Sequence, residues 1–511
     1  MMDATIKLSK PHRIALTFVV MIATLMQVVD TTIANVALPH MQAALGATPD
    51  TVTWVLTAYI IASAIMIPLS GWLEARIGRR ELLLLSIGGF TIASILCGMA
   101  TSLEAMVAAR IVQGIFGAFL GPLSQTILLD IHSLEQRPKA MAIAMIVVMA
   151  GPILGPILGG YITDEFNWRW IFFVNVPIGV FSLVGSIVLM PRARANAEPF
   201  DAWGFLMIAT GLTAFQLMLD RGTQKDWFGS PEIIGEAGLA LAMFWAFAIH
   251  TFTSPKPLLP KRLFLDRSLM VANLFMIFVA GTVYASAAIL PPMLQTLFGY
   301  DTVEAGLLMS ARAITVMIAS LAMVSFGKTF DGRLQVALGM ILVGISLRMM
   351  AGFSLDMDSW PIILSGLIQG LGLALIIMPV QMAAFATLTP EDRTSGAALF
   401  NLTRMFGSSV SIAIFVAITA RNLQINHSEL GAHLDSIRYG MFDGNFPERM
   451  GVEGNMILEM IDLEVNRQAM MIAYVNDFWL MAMISFLLVP FALLLPSNRQ
   501  PTVTQEPMTA K

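Results

Sequence analysis

Apolar residues run in long blocks along this chain, separated by short polar segments that carry Gly, Pro, Lys and Arg. A helix needs about 20 mostly apolar residues to cross a hydrocarbon core. Blocks of that length predict helices at 14–39, 52–73, 81–102, 104–130, 140–163, 171–190, 202–220, 233–252, 269–291, 304–326, 334–353, 361–387, 396–420 and 474–495. The even number, fourteen, puts both termini on one side. The start, Met1 to Arg13, is short and mildly basic, and the apolar stretch after it reaches Leu38 with no small-residue cleavage site. It reads as a retained first helix rather than a removed signal.

Composition agrees with lipid as the solvent. The 511 residues are 57% hydrophobic and 13% charged, against about 45–50% and about 25% in soluble domains. The net charge of −4 gives no footing for nucleic acid, and Cys97, the only cysteine, excludes an intrachain disulfide and a multi-cysteine metal site. No cofactor is expected. The Lys and Arg residues are unevenly shared. With the termini in the cytoplasm, nineteen of the 30 fall in inner segments and seven in outer ones, while Arg110, Arg312, Arg348 and Arg404 fall inside helices. That bias sets the orientation. Trp54, Trp72, Trp168, Trp203 and Trp360 stand near helix ends, as an interfacial belt requires.

Several features recur at an offset of 256 residues. Gly71 maps to Gly327, Gln113-Gly114 to Gln369-Gly370, Gln125 to Gln381, and Glu135-x-Arg137 to Glu391-x-Arg393. The repeat divides the chain into a six-helix bundle at 1–200, a two-helix insertion with its loops at 201–268, a second six-helix bundle at 269–495 and a tail at 496–511. The expected fold is an all-α integral membrane protein of two pseudo-repeated bundles plus two extra helices. In such parallel repeats the substrate site lies between the halves near the midplane.

Six strings carry a family resemblance. They are Asp30-Thr-Thr-Ile-Ala-Asn35-Val-Ala-Leu-Pro39; Gly71-Trp-Leu-Glu-Ala-Arg76-Ile-Gly78-Arg79-Arg80; Arg110-Ile-Val-Gln113-Gly114; Gly151-Pro-Ile-Leu-Gly155-Pro-Ile-Leu-Gly159-Gly160; and Trp168-Arg-Trp-Ile-Phe-Phe-Val-Asn175-Val-Pro177-Ile-Gly179, with Leu219-Asp-Arg-Gly222 further on. The chain resembles the fourteen-helix drug:proton antiporters of the major facilitator superfamily, EmrB type, over essentially its whole length. The loop motif departs from the family at Ala75, where Asp is usual and Glu74 stands beside it. The resemblance implies proton-coupled export of hydrophobic or amphipathic toxic compounds across a bacterial inner membrane. It also implies an EmrA-like periplasmic adaptor, a TolC-like outer-membrane channel, and inner-loop gating by Gly71, Arg76, Gly78 and Arg79.

Asp30 lies about 24 Å up helix 1 from Ile14 at 1.5 Å per residue. An ionisable group at that depth is usually functional or paired. Its functional role is to bind a proton or a cationic group; its plain role is to hydrogen-bond a neighbouring helix. Arg110 falls at nearly the same depth on helix 4, about 21 Å from the inner boundary. The resemblance, not the spacing, brings helices 1 and 4 together. Asp30 and Arg110 are therefore the proton-coupling candidates. Asn35, Gln113, Gln125, Gln369, Gln381, Asn401 and Arg404 are the cavity candidates, with Asn401 and Arg404 on one helix face. No acid is expected deep in the second half, which assigns proton binding to the first.

Gly151, Gly155 and Gly159 form one stripe, and Pro152 and Pro156 remove two backbone donors beside it. The stripe, with Gly160, reads either as a bent contact between the halves or as ordinary helix packing; the antiport association comes from the resemblance. Gly327-Lys328-Thr329 ends like a phosphate loop, but position 322 is Ala where that loop needs Gly, which argues against nucleotide binding. The 37 Met residues suit an adaptable pocket, although general apolar filling of lipid-facing helices explains them better. The outer segment 421–473 reads as a long acidic loop, of net charge −4, that either docks a partner or stays solvated. Function then divides three ways: broad proton-driven efflux, export of one metabolite such as a siderophore or fatty acid, or a membrane sensor without transport. No appended domain or nucleotide or metal motif favours the last, and nothing points to an enzyme.

Overall fold

The computed structural model describes residues 8–133, 135–192, 199–326, 331–441 and 452–495. Gly327, Lys328, Thr329, the tail from 496, and Asp443, Glu448 and Arg449 lie outside them, as do the side chains of Pro152 and Pro156. The described chain is helical throughout, with no strand among the described residues. The long helices are α1 Lys10–Val36, α2 Trp54–Ile77, α3 Arg79–Met99, α4 Leu103–Ile131, α5 Arg137–Glu165, α6 Trp170–Leu189, α7 Ala202–Arg221, α8 Pro231–Thr253, α9 Arg267–Phe298, α10 Thr302–Phe326, α11 Gly332–Met350, α12 Trp360–Phe385, α13 Arg393–Met441 and α14 Val452–Leu488. Thirteen helices, all but α5, contain a stretch long and apolar enough to cross a membrane; α5 is 29 residues long and occupies the fifth expected position. The helix end expected to be cytoplasmic is called inner below.

Local chemistry sets many of the helix starts. Pro sits in the first turn of α1, α5, α8 and α12, where its missing N–H costs nothing. Ser102, Asp201, Asp266 and Asp331 cap α4, α7, α9 and α11, each side chain accepting a backbone N–H of the first turn. The turn between α2 and α3 holds Gly78 at φ +92°, a backbone state that side chains oppose.

Two expected boundaries are wrong. The spans 396–420 and 474–495 are parts of α13, 49 residues, and α14, 37 residues. At 1.5 Å per residue these reach about 73 Å and about 55 Å, well beyond a ~30 Å core. The outer segment 421–473 is therefore not a loop in its described parts but the continuation of both helices. Apolar content marks where a helix leaves lipid, not where the helix stops.

Helices α1 to α6 pack into one bundle, with α1 on α5 and α6, α4 on α2 and α3, and α3 on α6. Helices α9 to α14 form the second, with α9 on α13, α12 on α10 and α11, and α14 on α11 and α13. The repeated Gln-Gly dipeptide marks equivalent crossings. A Cβ on Gly114 would meet the Tyr59 carbonyl of α2, and one on Gly370 the Arg312 carbonyl of α10. Only glycine allows the backbones that close. The two halves meet where α5 packs on α10 and where the inner portions of α2 and α4 pack on α13. Helices α7 and α8 pair with each other, and α7 lies against both α2 and α13. Phe215 of α7 stacks on Phe406 of α13 at 4.4 Å, so the insertion braces the seam between the halves.

Candidate functional site

Four helices of the first half converge on one buried carboxylate. Asp30 of α1 is 0% exposed and Arg110 of α4 is 1% exposed, and they pair at 2.7 Å. Asp30 also accepts Gln113 Nε2 of α4 at 2.9 Å and Asn175 Nδ2 of α6 at 2.7 Å. Ser94 of α3 accepts from both amides, at 2.7 and 3.2 Å. Arg110 further donates to the Val55 carbonyl at 3.0 Å and to Gln113 Oε1 at 2.6 Å, and lies 4.3 Å over the Tyr59 ring. A buried carboxylate is tolerated when paired and hydrogen-bonded to this degree. Losing its charge would weaken bonds to two other helices at once.

The second half carries the repeat of this cluster with its charge altered. The offset of 256 sends Gln113 to Gln369 and Asp30 to Ser286. Gln369 Nε2 donates to Ser286 Oγ at 3.4 Å, and Gln369 Oε1 accepts Arg312 Nη1 at 3.2 Å. Nearby, Arg404 donates to the Tyr284 hydroxyl at 2.8 Å and to Asn401 Oδ1 at 3.3 Å. Among the described residues neither Arg312 nor Arg404 has a carboxylate within ion-pair distance. This half offers cations and hydroxyls where the first offers a neutralised pair.

Asn401 Nδ2 crosses to Gln125 Oε1 at 3.1 Å and begins the inner seal. Two turns nearer the inner end of α13, Thr394 donates to Thr126 at 3.2 Å. Asp130, at the inner end of α4, binds Arg79 of its own half and Arg393 of the other. Glu74 holds Arg79 from the far side at 2.6 Å. Gly71 faces Ser395 so closely that a Cβ would overlap its hydroxyl. The inner ends of the two halves are thus closed on each other.

The other expected residues are placed as follows. Asn35 is exposed at the outer end of α1, away from the cluster, and reaches only the Thr31 carbonyl at 3.5 Å. Gln381 is buried within α12. Arg76 is exposed. Of the two readings of the glycine stripe, a contact between the halves does not hold and helix packing within one half does: Gly151, Gly155 and Gly159 face Val28, Thr32 and Ile33 of α1. Thr32 donates to the Gly151 carbonyl at 3.0 Å. Gly160, on a different face, is the one directed at α10, toward Val303.

Sequence reasoning missed three groups. Asp130 stood at the last position of the expected fourth helix, where a charge is unremarkable, and Ser286 became visible only once Asp30 had a repeat partner to find. The expectation of no acid deep in the second half took no account of burial near the outer boundary. Asp477 of α14 is 0% exposed. Its signal, a lone acid in an apolar run, lay at the edge of the expected span.

The Major Facilitator Superfamily profile matches residues 20–412. The chain is 33% identical over 476 residues to the multidrug export protein EmrB of Haemophilus influenzae, covering 92% of this chain and 93% of that one. It is 32% identical over 476 residues to the fatty acid resistance protein FarB of Neisseria gonorrhoeae, with the same coverage, 92% and 93%. Among solved structures, the proton:xylose symporter XylE aligns with a TM-score of 0.60 at 14% identity, over 96% of this chain and 97% of that chain, a likeness of fold.

Proposed function

The chain belongs to the EmrB-type branch of the major facilitator superfamily, and from that premise we propose that it is a proton-coupled multidrug efflux antiporter of the bacterial inner membrane, with both termini cytoplasmic. The observation that carries the coupling is the fully buried Asp30–Arg110 pair. A proton on Asp30 removes its attraction for Arg110 and weakens the bonds from Gln113 and Asn175. Helix α1 is free to shift only together with α5, because Thr32 and the glycines interlock. Helix α5 packs across the seam on α10. A charge change at Asp30 therefore has a direct packed route to the other half. The closed inner ends belong to the state that takes protons from, and releases substrate to, the outer side.

The described outer extensions of α13 and α14 suit docking of an EmrA-like adaptor leading to a TolC-like channel. Met456, Met460 and Leu463, at helical spacing on α14, are all exposed there. The test is dye efflux from cells and everted vesicles, with and without a protonophore, comparing the natural chain with Asp30→Asn. Full pH-dependent transport by Asp30→Asn would reject the coupling role.

A second reading, export of one acidic metabolite such as a fatty acid, is favoured by Arg312 and Arg404, which have no carboxylate partner among the described residues, and by the likeness to FarB. Deletion that abolishes secretion of one acid and leaves a panel of toxic compounds unaffected would select this reading over the first.

A further inference from the structure

Asp477 is the buried acid that the coupling scheme above leaves unused. It lies on α14, a helix that packs against α9, α11 and α13 of the second half. It is 0% exposed. No Lys, Arg or His stands within ion-pair distance of it among the described residues. The charged or titratable groups described on the neighbouring outer portions stand toward the surface: Arg348 of α11, Arg421 and Glu429 of α13, and Glu459, Asp462, Glu464 and Arg467 of α14 are exposed, His427 of α13 is half-buried and pairs with Asp462, and α9 presents Thr296. Tyr474, one turn before Asp477 on α14, is its titratable neighbour.

The hydrogen bonds show which form of the carboxyl fits. One oxygen, Oδ2, contacts the Thr419 hydroxyl of α13. The other, Oδ1, is buried with no partner. Thr419 Oγ1 also lies 2.8 Å from the Phe415 carbonyl, one turn back on its own helix. A hydroxyl has one hydrogen and donates once. If Asp477 were ionised, Thr419 would have to abandon the Phe415 carbonyl, and a full negative charge would sit out of water with one donor and no cation, which is strongly disfavoured. With a proton on Oδ2 the chain closes: the carboxyl donates to Thr419 Oγ1, and Thr419 donates to the Phe415 carbonyl. Asp30 is the opposite case, with a guanidinium and two amides all donating to it.

We propose that Asp477 is a second proton-binding site of this transporter, occupied in the state with closed inner ends. Its level fits loading from outside. Counting back from Leu495, through the short 3-10 segment Pro490–Leu494 that follows α14 and then up α14, it stands about 27–30 Å from that inner point at 1.5–2.0 Å per residue, close to the outer boundary of a ~30 Å core. It also supplies the second half with a carboxyl, which Ser286 at the repeat position of Asp30 cannot. The site stands on the geometry of α13 and α14 and does not depend on the role of Asp30.

The full-length protein tests this in two ways that need no transport. Dicyclohexylcarbodiimide, which attacks protonated carboxyls in apolar surroundings, is expected to modify Asp477 at neutral pH, located by mass spectrometry. The infrared carbonyl band of a protonated carboxyl is expected to shift in D2O, to vanish in Asp477→Asn and to survive in Asp30→Asn. Thr419→Val, which removes the acceptor, is expected to move the band and covers the case in which Asp477→Asn fails to fold. In proteoliposomes loaded with ethidium, Asp477→Asn is expected to exchange about one proton fewer per dye molecule than the natural chain. An unmodified Asp477, a band indifferent to Asp477→Asn or to D2O, or an unchanged proton-to-dye ratio would each overturn the proposal. Failure of dye efflux in every variant would instead count against the efflux reading and leave the labelling and infrared results standing.

Discussion

Asp130→Asn is expected to open the inner side. Asp130 binds Arg79 within its own half and Arg393 across the seam. When the inner ends separate, only the second link breaks, so only that link biases the equilibrium between the closed and open arrangements. The carboxylate is 9% exposed and the Arg393 side chain 10%, so solvent screening reduces the interaction little. A hydrogen bond to a charged group is worth about 1.5–3 kcal/mol and a neutral one about 0.5–1.5 kcal/mol. Asn keeps an oxygen and loses the charge, which removes about 1–2 kcal/mol from the closed arrangement. That corresponds to a shift of roughly 5- to 30-fold toward the open one. Spin labels at Arg76→Cys and Leu334→Cys, with Cys97 replaced by Ser, report the distance between the inner ends by double electron–electron resonance. The longer-distance population is expected to grow by that factor. Glu74→Gln acts on Arg79 inside one half and is expected to leave the distribution nearly unchanged. Superposable distributions for Asp130→Asn and the parent would refute the assignment of this link as the inner latch.

Arg110→Gln strands a buried carboxylate and is expected to cost about 3–5 kcal/mol; adding Asp30→Asn should recover much of it, and strictly additive losses of thermal stability in detergent would disprove the pairing energy. Gly155→Val must push α5 off Thr32 of α1 and is expected to destabilise by about 1–3 kcal/mol, whereas Gly160→Ala, with 3.7 Å to Val303, should lie within about 0.5 kcal/mol of the parent; equal effects on the melting temperature would contradict the assigned faces. Asp201→Ala removes the cap of α7 together with the bonds to His250 at 2.8 Å and the Leu258 N–H at 2.9 Å, and is expected to loosen the insertion by about 1–2 kcal/mol, seen as faster proteolysis of the 253–261 connection; an unaltered cleavage rate would count against that anchor.

The parts of the site that were legible share one property: they depend on distance along a helix. Asp30 and Arg110 could be set at matching depths because the rise per residue is constant. The repeat surfaced in Gln113-Gly114 and Gln369-Gly370 because each dipeptide makes the same crossing of two helices, one residue bonding and the next permitting contact. The glycine stripe of α5 was equally visible, but its partner was not. Spacing shows that Gly151, Gly155 and Gly159 share a face and says nothing about which neighbour that face meets.

The pattern of apolar blocks, the Lys and Arg bias and the 256-residue offset by themselves determined a fourteen-helix membrane protein of two related halves, since burial in lipid acts on each segment separately. Only the tertiary structure decided the contacts that bring residues from separate segments together. Asp130 meets Arg393 across 263 residues. Helices α13 and α14 run on past the membrane because a helix ends where its backbone hydrogen bonding stops, not where hydropathy falls. Asp477 is buried on a helix that packs against three others, and a lone acid in a string of letters carries no sign of how many neighbours will exclude water from it.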